Sequence, residues 1–262
     1  MNGGTECNRS PAVVAPGAGV ALVTLFADDD ALLIDETADL AARLVDAGAA
    51  SVLVAGTSGE FWALDDEERL VLVSAVLAAV PPTTPVIGHV GGVGAERGAV
   101  MATRMSDAGV TAITALPLGV GDDLAGFYAA IGSSSGVPVL AYHLPQAAAE
   151  IPLRELAGLG VAGIKDSSGD SARLIEEALD MGIETYTGVP TLLGVARDIG
   201  AAGAMLGIAN VWPDVAGRAF QGDETALGEL VSQHTTSLHE FPRALKAMTA
   251  ARWDVPAHVW GS

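Results

Sequence analysis

Lysine is scarce in this chain: only Lys165 and Lys246 occur, against eleven arginines. Lys165 follows the apolar run 161–164, whereas Lys246 lies in a helical pattern where an exposed lysine would be ordinary. A buried ammonium is strongly unfavourable unless it is paired, and the usual result is a lowered pKa. An amine that is neutral near pH 7 attacks a ketone to form a Schiff base. Lys165 is therefore the candidate nucleophile, and a structural lysine paired with Asp166 or a neighbouring carboxylate is the alternative.

Two other apolar runs end in polar residues that suit the same chemistry. Residues 56–60 read Gly-Thr-Ser-Gly-Glu, so the hydroxyls of Thr57 and Ser58 and the backbone after Gly56 could hold a carboxylate. A turn stabilised by hydroxyls explains this segment as well. Tyr142 ends another run, and its phenol could relay protons while an imine forms. The alternative for Tyr142 is a ring that packs at a rim.

The elements that would position these residues alternate along the chain. Eight short apolar runs predict strands at residues 19–24, 51–55, 86–90, 112–116, 139–142, 163–165, 185–187 and 203–206. Uninterrupted apolar strands are typical of a parallel sheet that is buried on both faces. Between them, amphipathic patterns predict helices at residues 34–47, 66–80, 95–108, 124–131, 171–181 and 191–199. The alternation predicts an α/β fold, a (β/α)8 TIM barrel whose active site lies at the C-terminal ends of the strands.

An open, doubly wound sheet is the structural alternative. It is disfavoured because no glycine-rich nucleotide turn follows the first strand, and residues 91–94 lack the required glycine spacing. We divide the chain into a disordered N-terminal tail at 1–16, the barrel at 17–212 and C-terminal helices at 213–262. Those helices, predicted at 213–220, 224–238 and 242–251, are expected to pack beside the barrel.

Composition excludes several classes of partner. The 262 residues are 50% hydrophobic, and the formal net charge of −19 repels phosphate backbones, so we expect no nucleic acid. The apolar runs are too short to cross a membrane. Cys7 is the single cysteine and cannot form an intramolecular disulfide. No signal-peptide pattern is visible, so a cytoplasmic location is expected.

The histidines show no spacing typical of metal ligands. We therefore expect neither a metal nor a cofactor, since a protonated imine can itself act as the electron sink. His89 and His143 follow apolar runs and are interpreted as polar residues at the rim of the barrel mouth.

Taken together, the segments resemble the dihydrodipicolinate synthase / N-acetylneuraminate lyase family of class I aldolases. The resemblance runs from about residue 19 to 210 and rests on residues 22–26, 56–60, 142–145, 163–170, 187–188 and 200–204. It implies a (β/α)8 barrel that is usually a homotetramer, so a tetramer or dimer is expected. It also implies pyruvate bound to Lys165, its carboxylate on Thr57 and Ser58, and Tyr142 relaying protons. The predicted substrate contacts are completed by Gly56, Gly188 and Ala204.

Three departures concern the second substrate. The family usually carries a Tyr-Tyr pair after strand four, where this chain has Leu118 and Gly119, and Tyr128 on the next helix is not expected to replace it. An arginine that binds the second substrate's carboxylate in the synthases is Ala147 here, and an aspartate that binds polyol hydroxyls in the sialate lyases is Pro190. Neither dihydrodipicolinate synthesis nor sialate cleavage is therefore predicted to be the native reaction.

Three functions remain open. The leading hypothesis is a lyase that cleaves or forms a 2-oxo-4-hydroxy acid, from pyruvate or a related 2-oxo acid, through an imine on Lys165. The second is a hydro-lyase that acts on a 2-oxo-3-deoxy sugar acid with the same lysine. The third is a barrel that binds 2-oxo acids without turnover, which the missing tyrosine pair leaves open.

Overall fold

The computed structural model describes residues 13–14, 16–121 and 123–262 and shows a closed barrel of eight parallel strands. The strands are β1 (Ala18–Ala21), β2 (Val52–Val54), β3 (Val86–Gly91), β4 (Ala112–Leu116), β5 (Val139–His143), β6 (Gly163–Asp166), β7 (Glu184–Thr187) and β8 (Gly203–Leu206). Each strand pairs in parallel with the next, and β1 closes the barrel against β8. The predicted (β/α)8 fold is confirmed.

Helices separate the strands, as the amphipathic patterns predicted. They are α1 (Ile34–Asp46), α2 (Asp66–Ala79), α3 (Ala95–Ala108), α4 (Leu124–Ser134), α5 (Leu153–Leu156), α6 (Ser171–Ile175, continued by a π-turn over Glu176–Asp180), α7 (Leu193–Asp198), α8 (Pro213–Gln221), α9 (Glu224–Ser237) and α10 (Arg243–Trp253). Helix α2 begins with a capping box between Asp65 and Glu68. Helix α5 was not predicted, because four residues are too few to show a helical period.

Alternation along the strands determines which side chains enter the barrel. One interior layer consists of Ala21, Leu53, Ile87, Ala112, Leu140, Tyr186 and Met205. Their strand neighbours, such as Val20 and Ile113, pack against the helices instead. Because successive side chains of a strand point to opposite faces, the next inward positions of β5 and β6 are Tyr142 and Lys165. These two residues are also paired in register.

The N-terminal end of the barrel is closed by a residue that we assigned to the tail. Most of the predicted tail, residues 1–12 and 15, lies outside the described residues. Val14 differs from the prediction, since its side chain is buried and its N–H donates to the Tyr186 hydroxyl at 3.0 Å. The neighbouring Val13 N–H donates to Glu184 at 2.8 Å. Val13 and Val14, which we assigned to the tail, therefore pack against the barrel.

The C-terminal helices reach the mouth of the barrel. Helix α8 packs against β1, α9 contacts the turn that follows β7, and α10 contacts α9 and the turn that follows β8. Asn210, in the turn after β8, donates to Ala21 O at 2.7 Å and accepts from Val23 N–H at 3.0 Å. Trp253 at the end of α10 donates to Asn210 O at 2.6 Å. The prediction placed these helices beside the barrel, whereas α9 and α10 also cover part of its C-terminal end.

Lys246 on α10 is buried, and the expectation of an exposed lysine was wrong. Its ammonium lies 2.5 Å from Glu60 Oε1, and both side chains are completely buried. The same ammonium lies 4.7 Å from the ring centroid of Phe26. The error has a physical reason: the residues around Lys246 do not reveal that α10 packs against the loop after β2, which supplies the carboxylate.

Candidate active site

Lys165 lies inside the barrel near the C-terminal end of β6 and is only 3% exposed. Its Nζ lies 4.0 Å from the ring centroid of Tyr142, and no carboxylate among the described residues lies within 4.0 Å of it. Asp166 points to the opposite face, where it binds Arg173 at 2.8 Å and the hydroxyl of Ser168 at 2.6 Å. The alternative of a structural lysine paired with Asp166 or a neighbouring carboxylate therefore does not hold.

Tyr142 is buried beside the lysine and hydrogen-bonded to the loop after β2. The Tyr142 and Thr57 hydroxyls lie 3.2 Å apart. Burial alone would raise the pKa of Tyr142, but the charge of Lys165 and hydrogen bonds with Thr57, Lys165 and Ser167 outweigh it and lower this pKa. A phenol with a lowered pKa releases and regains a proton more readily, as a proton relay requires.

The loop that carries Thr57 and Ser58 is tightly bent. The N–H groups of residues 59, 60 and 61 are used within the turn, whereas those of Thr57 and Ser58 donate to no acceptor in the described part of the chain. Ala55 and Glu60, on either side, have φ values of 54° and 52°, which side-chain-bearing residues adopt at an energetic cost. Free donors and a strained backbone together suit a site that receives an anion.

Two glycines, Gly188 after β7 and Gly207 after β8, leave room for the hydroxyls of Ser167 and Ser58. A Cβ atom at Gly188 would overlap the Ser167 hydroxyl, and one at Gly207 would lie 3.0 Å from the Ser58 hydroxyl. Both serines can therefore turn into the barrel mouth.

A cavity of about 510 Å³ opens above Lys165. The predicted residues Lys165, Tyr142, Thr57, Ser58 and Gly188 line it, and the structure brings them together at one mouth. Two other predicted contacts do not line it. Ala204 packs towards the helices, because the inward residue at that point of β8 is Met205. Gly56 contributes its carbonyl to the turn instead, by accepting from Gly59 N–H at 3.0 Å.

Sequence reasoning missed the wall that the C-terminal helices contribute. The additional lining residues from this region are His234, Ser237, Leu238, Phe241 and Leu245. Their only signal in the sequence is an amphipathic pattern, which shows that a helix packs but not against what. Only the structure shows that α9 and α10 face the lysine.

The two histidines interpreted as rim residues are buried. His89 is completely buried beneath the mouth, with its ring 5.8 Å from that of Tyr142 and its Nδ1 3.0 Å from the Thr114 hydroxyl. Burial, and then the charges of Arg69 and Lys165, lower the pKa of His89 well below its usual value. His143 lies on the helix side of β5, where its Nδ1 accepts from Ile151 N–H at 3.3 Å. Neither histidine occupies the rim.

Tyr128 does not reach the site. It is buried behind β4 and donates to Ala115 O at 3.0 Å. No group of three or more His, Cys, Asp or Glu side chains within the described ranges is arranged to hold a metal ion. No helix in the same ranges combines the length and the apolar character needed to cross a bilayer.

Similar sequences include uncharacterised DapA-like lyases and 4-hydroxy-tetrahydrodipicolinate synthases. The chain is 32% identical over 253 residues to an uncharacterised DapA-like lyase of Halobacterium salinarum. The matched region covers 88% of this chain and 83% of that protein. It is 26% identical over 232 residues to 4-hydroxy-tetrahydrodipicolinate synthase 1 of Streptomyces coelicolor, covering 84% and 76% of the two chains.

Solved structures share the fold. YagE, a prophage protein of the dihydrodipicolinic acid synthase family from E. coli K12 in complex with pyruvate, superposes with a TM-score of 0.85 at 21% identity over 94% of this chain and 91% of that one. CdNal from Clostridium difficile in complex with mannosamine gives a TM-score of 0.85 at 19% identity, over 94% and 92%. At these identities the likeness supports the fold alone. A profile of the dihydrodipicolinate synthetase family matches residues 16–250, and the chain belongs to that family.

Proposed function

We propose that the chain is a class I lyase that holds pyruvate, or a related 2-oxo acid, as a Schiff base on Lys165. It would then form or cleave a carbon–carbon bond to an aldehyde. One observation carries the proposal: Lys165 is buried without a carboxylate partner among the described residues, 4.0 Å from the ring centroid of Tyr142. Membership of the dihydrodipicolinate synthetase family, and a relative 32% identical that is named a DapA-like lyase, support it.

Imine formation needs a nucleophile and a proton relay. The Lys165 amine attacks C2 of pyruvate, and the resulting hydroxyl leaves as water after taking a proton. Tyr142 is the proton donor and acceptor, because its phenol lies against the amine and is hydrogen-bonded to Thr57. In this chain the relay consists of Tyr142 and Thr57.

The loop after β2 would hold the pyruvate carboxylate. The hydroxyls of Thr57 and Ser58 line the cavity, and the N–H groups of the same two residues have no acceptor within the described chain. A carboxylate accepts hydrogen bonds from such a group of donors. Binding there would place C2 of pyruvate towards Lys165.

The carbon–carbon step follows from the imine. Loss of a proton from C3 gives an enamine, and C3 then attacks the carbonyl carbon of an aldehyde, whose oxygen takes up a proton. Water hydrolyses the new imine, releasing a 4-hydroxy-2-oxo acid and restoring the lysine. Cleavage is the same sequence in reverse.

The native reaction is proposed to be neither dihydrodipicolinate synthesis nor sialate cleavage. Ala147 lines the cavity and offers no cation for a second carboxylate. Pro190 offers no polar side chain for a polyol. Ordinary turnover with either natural substrate pair would contradict this part of the proposal.

The exchange of pyruvate methyl protons in D2O, followed by NMR, tests enamine formation without any aldehyde. We expect the native protein to catalyse the exchange and Lys165→Arg, which keeps the charge, to lose it. Absence of exchange with the native protein would contradict the proposal. Product analysis then separates the reactions, since a lyase yields an aldehyde and pyruvate, whereas a hydro-lyase yields a dehydrated acid. Exchange of pyruvate protons without turnover of any second substrate would favour the third hypothesis, a barrel that binds 2-oxo acids without turnover.

A homo-oligomer, either a dimer or a tetramer, is part of the same proposal. Trp62 and Leu118 are 49% and 37% exposed beside a second cleft of about 460 Å³, which shares Thr57 with the cavity. Large exposed apolar groups at a cleft are typical of interaction surfaces. A single-chain mass by light scattering at micromolar concentration would contradict the oligomer.

A further inference from the structure

The cavity has a polar end and an apolar wall. Lys165, Tyr142, Thr57 and Ser58 form the polar end. The apolar wall comes from the loops and turns after β5, β7 and β8 and from the C-terminal region, and consists of Leu144, Val189, Ile208, Leu238, Phe241 and Leu245. Leu238 and Phe241 are 53% and 39% exposed although both line the cavity. A ligand group lying against them would remove apolar surface from water.

The cavity offers no charge to a second substrate. Among the described residues that line it, Lys165 is the only Asp, Glu, Lys or Arg, and the imine with pyruvate occupies it. His234 also lines the cavity, but burial lowers its pKa, so the ring is neutral near pH 7. A carboxylate on the second substrate would meet no cation, and a charge that is buried without a partner is strongly unfavourable.

Three polar side chains along the remaining wall already have partners, whereas the buried Nδ1 of His234 has none among the described residues. Gln146 donates to Ser168 O at 3.4 Å, and the Ser168 hydroxyl donates to Asp166 at 2.6 Å. The Ser237 hydroxyl donates to His234 O at 2.8 Å. Nδ1 of His234 could accept from one substrate hydroxyl, but a row of hydroxyls would have to break the other bonds or remain unsatisfied.

We propose that the second substrate is an aldehyde whose substituent is an uncharged alkyl or aryl group that packs on the apolar wall. The inference rests on the proposed function of Lys165. In the condensation, C3 of the enamine bonds to the aldehyde carbon and the aldehyde oxygen takes up a proton. The substituent stays unchanged against Leu238 and Phe241, and hydrolysis releases a 4-hydroxy-2-oxo acid that carries it.

The test compares aldehydes of similar length with the pyruvate-loaded protein. The probes are pentanal and benzaldehyde as apolar aldehydes, succinate semialdehyde as the charged one and erythrose as the polyhydroxylated one. We expect kcat/KM for pentanal and benzaldehyde to exceed the other two by about tenfold or more, the discrimination that a small apolar contact can supply. Equal values, or a preference for the charged or polyhydroxylated aldehyde, would overturn the inference.

Two substitutions at Leu238 sharpen the test, because this side chain is half exposed and its replacement leaves the core intact. Leu238→Ala should lower kcat/KM for pentanal. Leu238→Arg should lower the ratio of kcat/KM for pentanal to kcat/KM for succinate semialdehyde about tenfold, since the guanidinium can bind the carboxylate of the latter. The matched control is Leu179→Arg, on the π-turn outside the cavity and 54% exposed, which should leave the ratio unchanged. A ratio that Leu238→Arg does not move would place the substituent elsewhere and overturn the inference.

Proton exchange separates the two levels of the proposal. Exchange of pyruvate protons by the native chain, with no apolar preference among the aldehydes, overturns the substrate class and leaves the Schiff base standing. Absence of exchange overturns the Schiff base, and the substrate class with it.

Discussion

Replacing Lys246 by methionine tests the buried ion pair that joins the C-terminal helices to the loop at residues 56–60. Lys246 Nζ lies 2.5 Å from Glu60 Oε1, and the other oxygen of Glu60 accepts from Trp260 N–H at 3.0 Å. Burial lowers the pKa of Lys246, and the Glu60 carboxylate partly offsets this. Neither charged group is exposed to water, so each depends on the other for charge compensation.

The loss of unfolding free energy in Lys246→Met is set by the Glu60 carboxylate that remains buried without a partner. Lys246→Met leaves the Glu60 carboxylate without its cation at a site with no exposed surface. Removing one partner of a buried pair costs about 3–5 kcal/mol, whereas replacing both by neutral groups is often nearly neutral. We expect the single variant to lose about that much unfolding free energy, and Glu60→Gln/Lys246→Met to lose less than the sum of its two single variants.

Urea unfolding followed by tryptophan fluorescence measures all four proteins of this double-mutant cycle. The exposed pair Arg104–Glu67 is the matched control, with side chains 40% and 71% exposed, and Arg104→Met should change stability little. If the losses of unfolding free energy in the two single variants add up to the loss in the double variant within about 0.5 kcal/mol, the two side chains are not coupled and the prediction is wrong.

Three further predictions concern the site and the core behind it. Tyr142→Phe should slow proton exchange into pyruvate by about 10²–10⁴-fold, the usual contribution of a positioned acid–base group, and an unchanged rate would exclude the phenol as the relay. Gly188→Ala should slow exchange about tenfold with little change in stability, because the added methyl displaces the Ser167 hydroxyl and removes about one hydrogen bond. Burial and the neighbouring Asp166 raise the pKa of Glu177 to about 8, so the native state keeps a proton that the unfolded chain has released. Stability should therefore fall by about 2 kcal/mol between about pH 6 and pH 8, and Glu177→Gln should remove that part of the fall in urea titrations at both pH values.

The barrel and the polar end of the cavity were predictable because they depend on local patterns. Uninterrupted apolar runs are typical of buried parallel strands. Side chains alternate along β5 and β6, and Tyr142 and Lys165 are paired in register, so if one points into the barrel the other does too. The same rule explains the error at Ala204, since a shift of one residue along β8 exchanges it for Met205.

Contacts between distant segments were not predictable. Lys246 and Glu60 are separated by 186 positions in the chain, and the pattern around Lys246 suits an exposed helix as well as a buried one. His89 is a similar case, because its burial depends on Phe61 and Tyr142 packing against its ring. The apolar wall from the C-terminal helices needs tertiary structure for the same reason, and it is the part of the site that bears on the second substrate.

The Schiff base on Lys165 is tested by reducing the protein with borohydride in the presence of pyruvate and mapping its peptides by mass spectrometry. The chain has only two lysines, so the modified position can be assigned without ambiguity. We expect one reduced pyruvate on the peptide that contains Lys165, none on the peptide that contains Lys246, and no adduct in Lys165→Ala. An unmodified native chain, or an adduct that persists in Lys165→Ala, would contradict the Schiff base on Lys165.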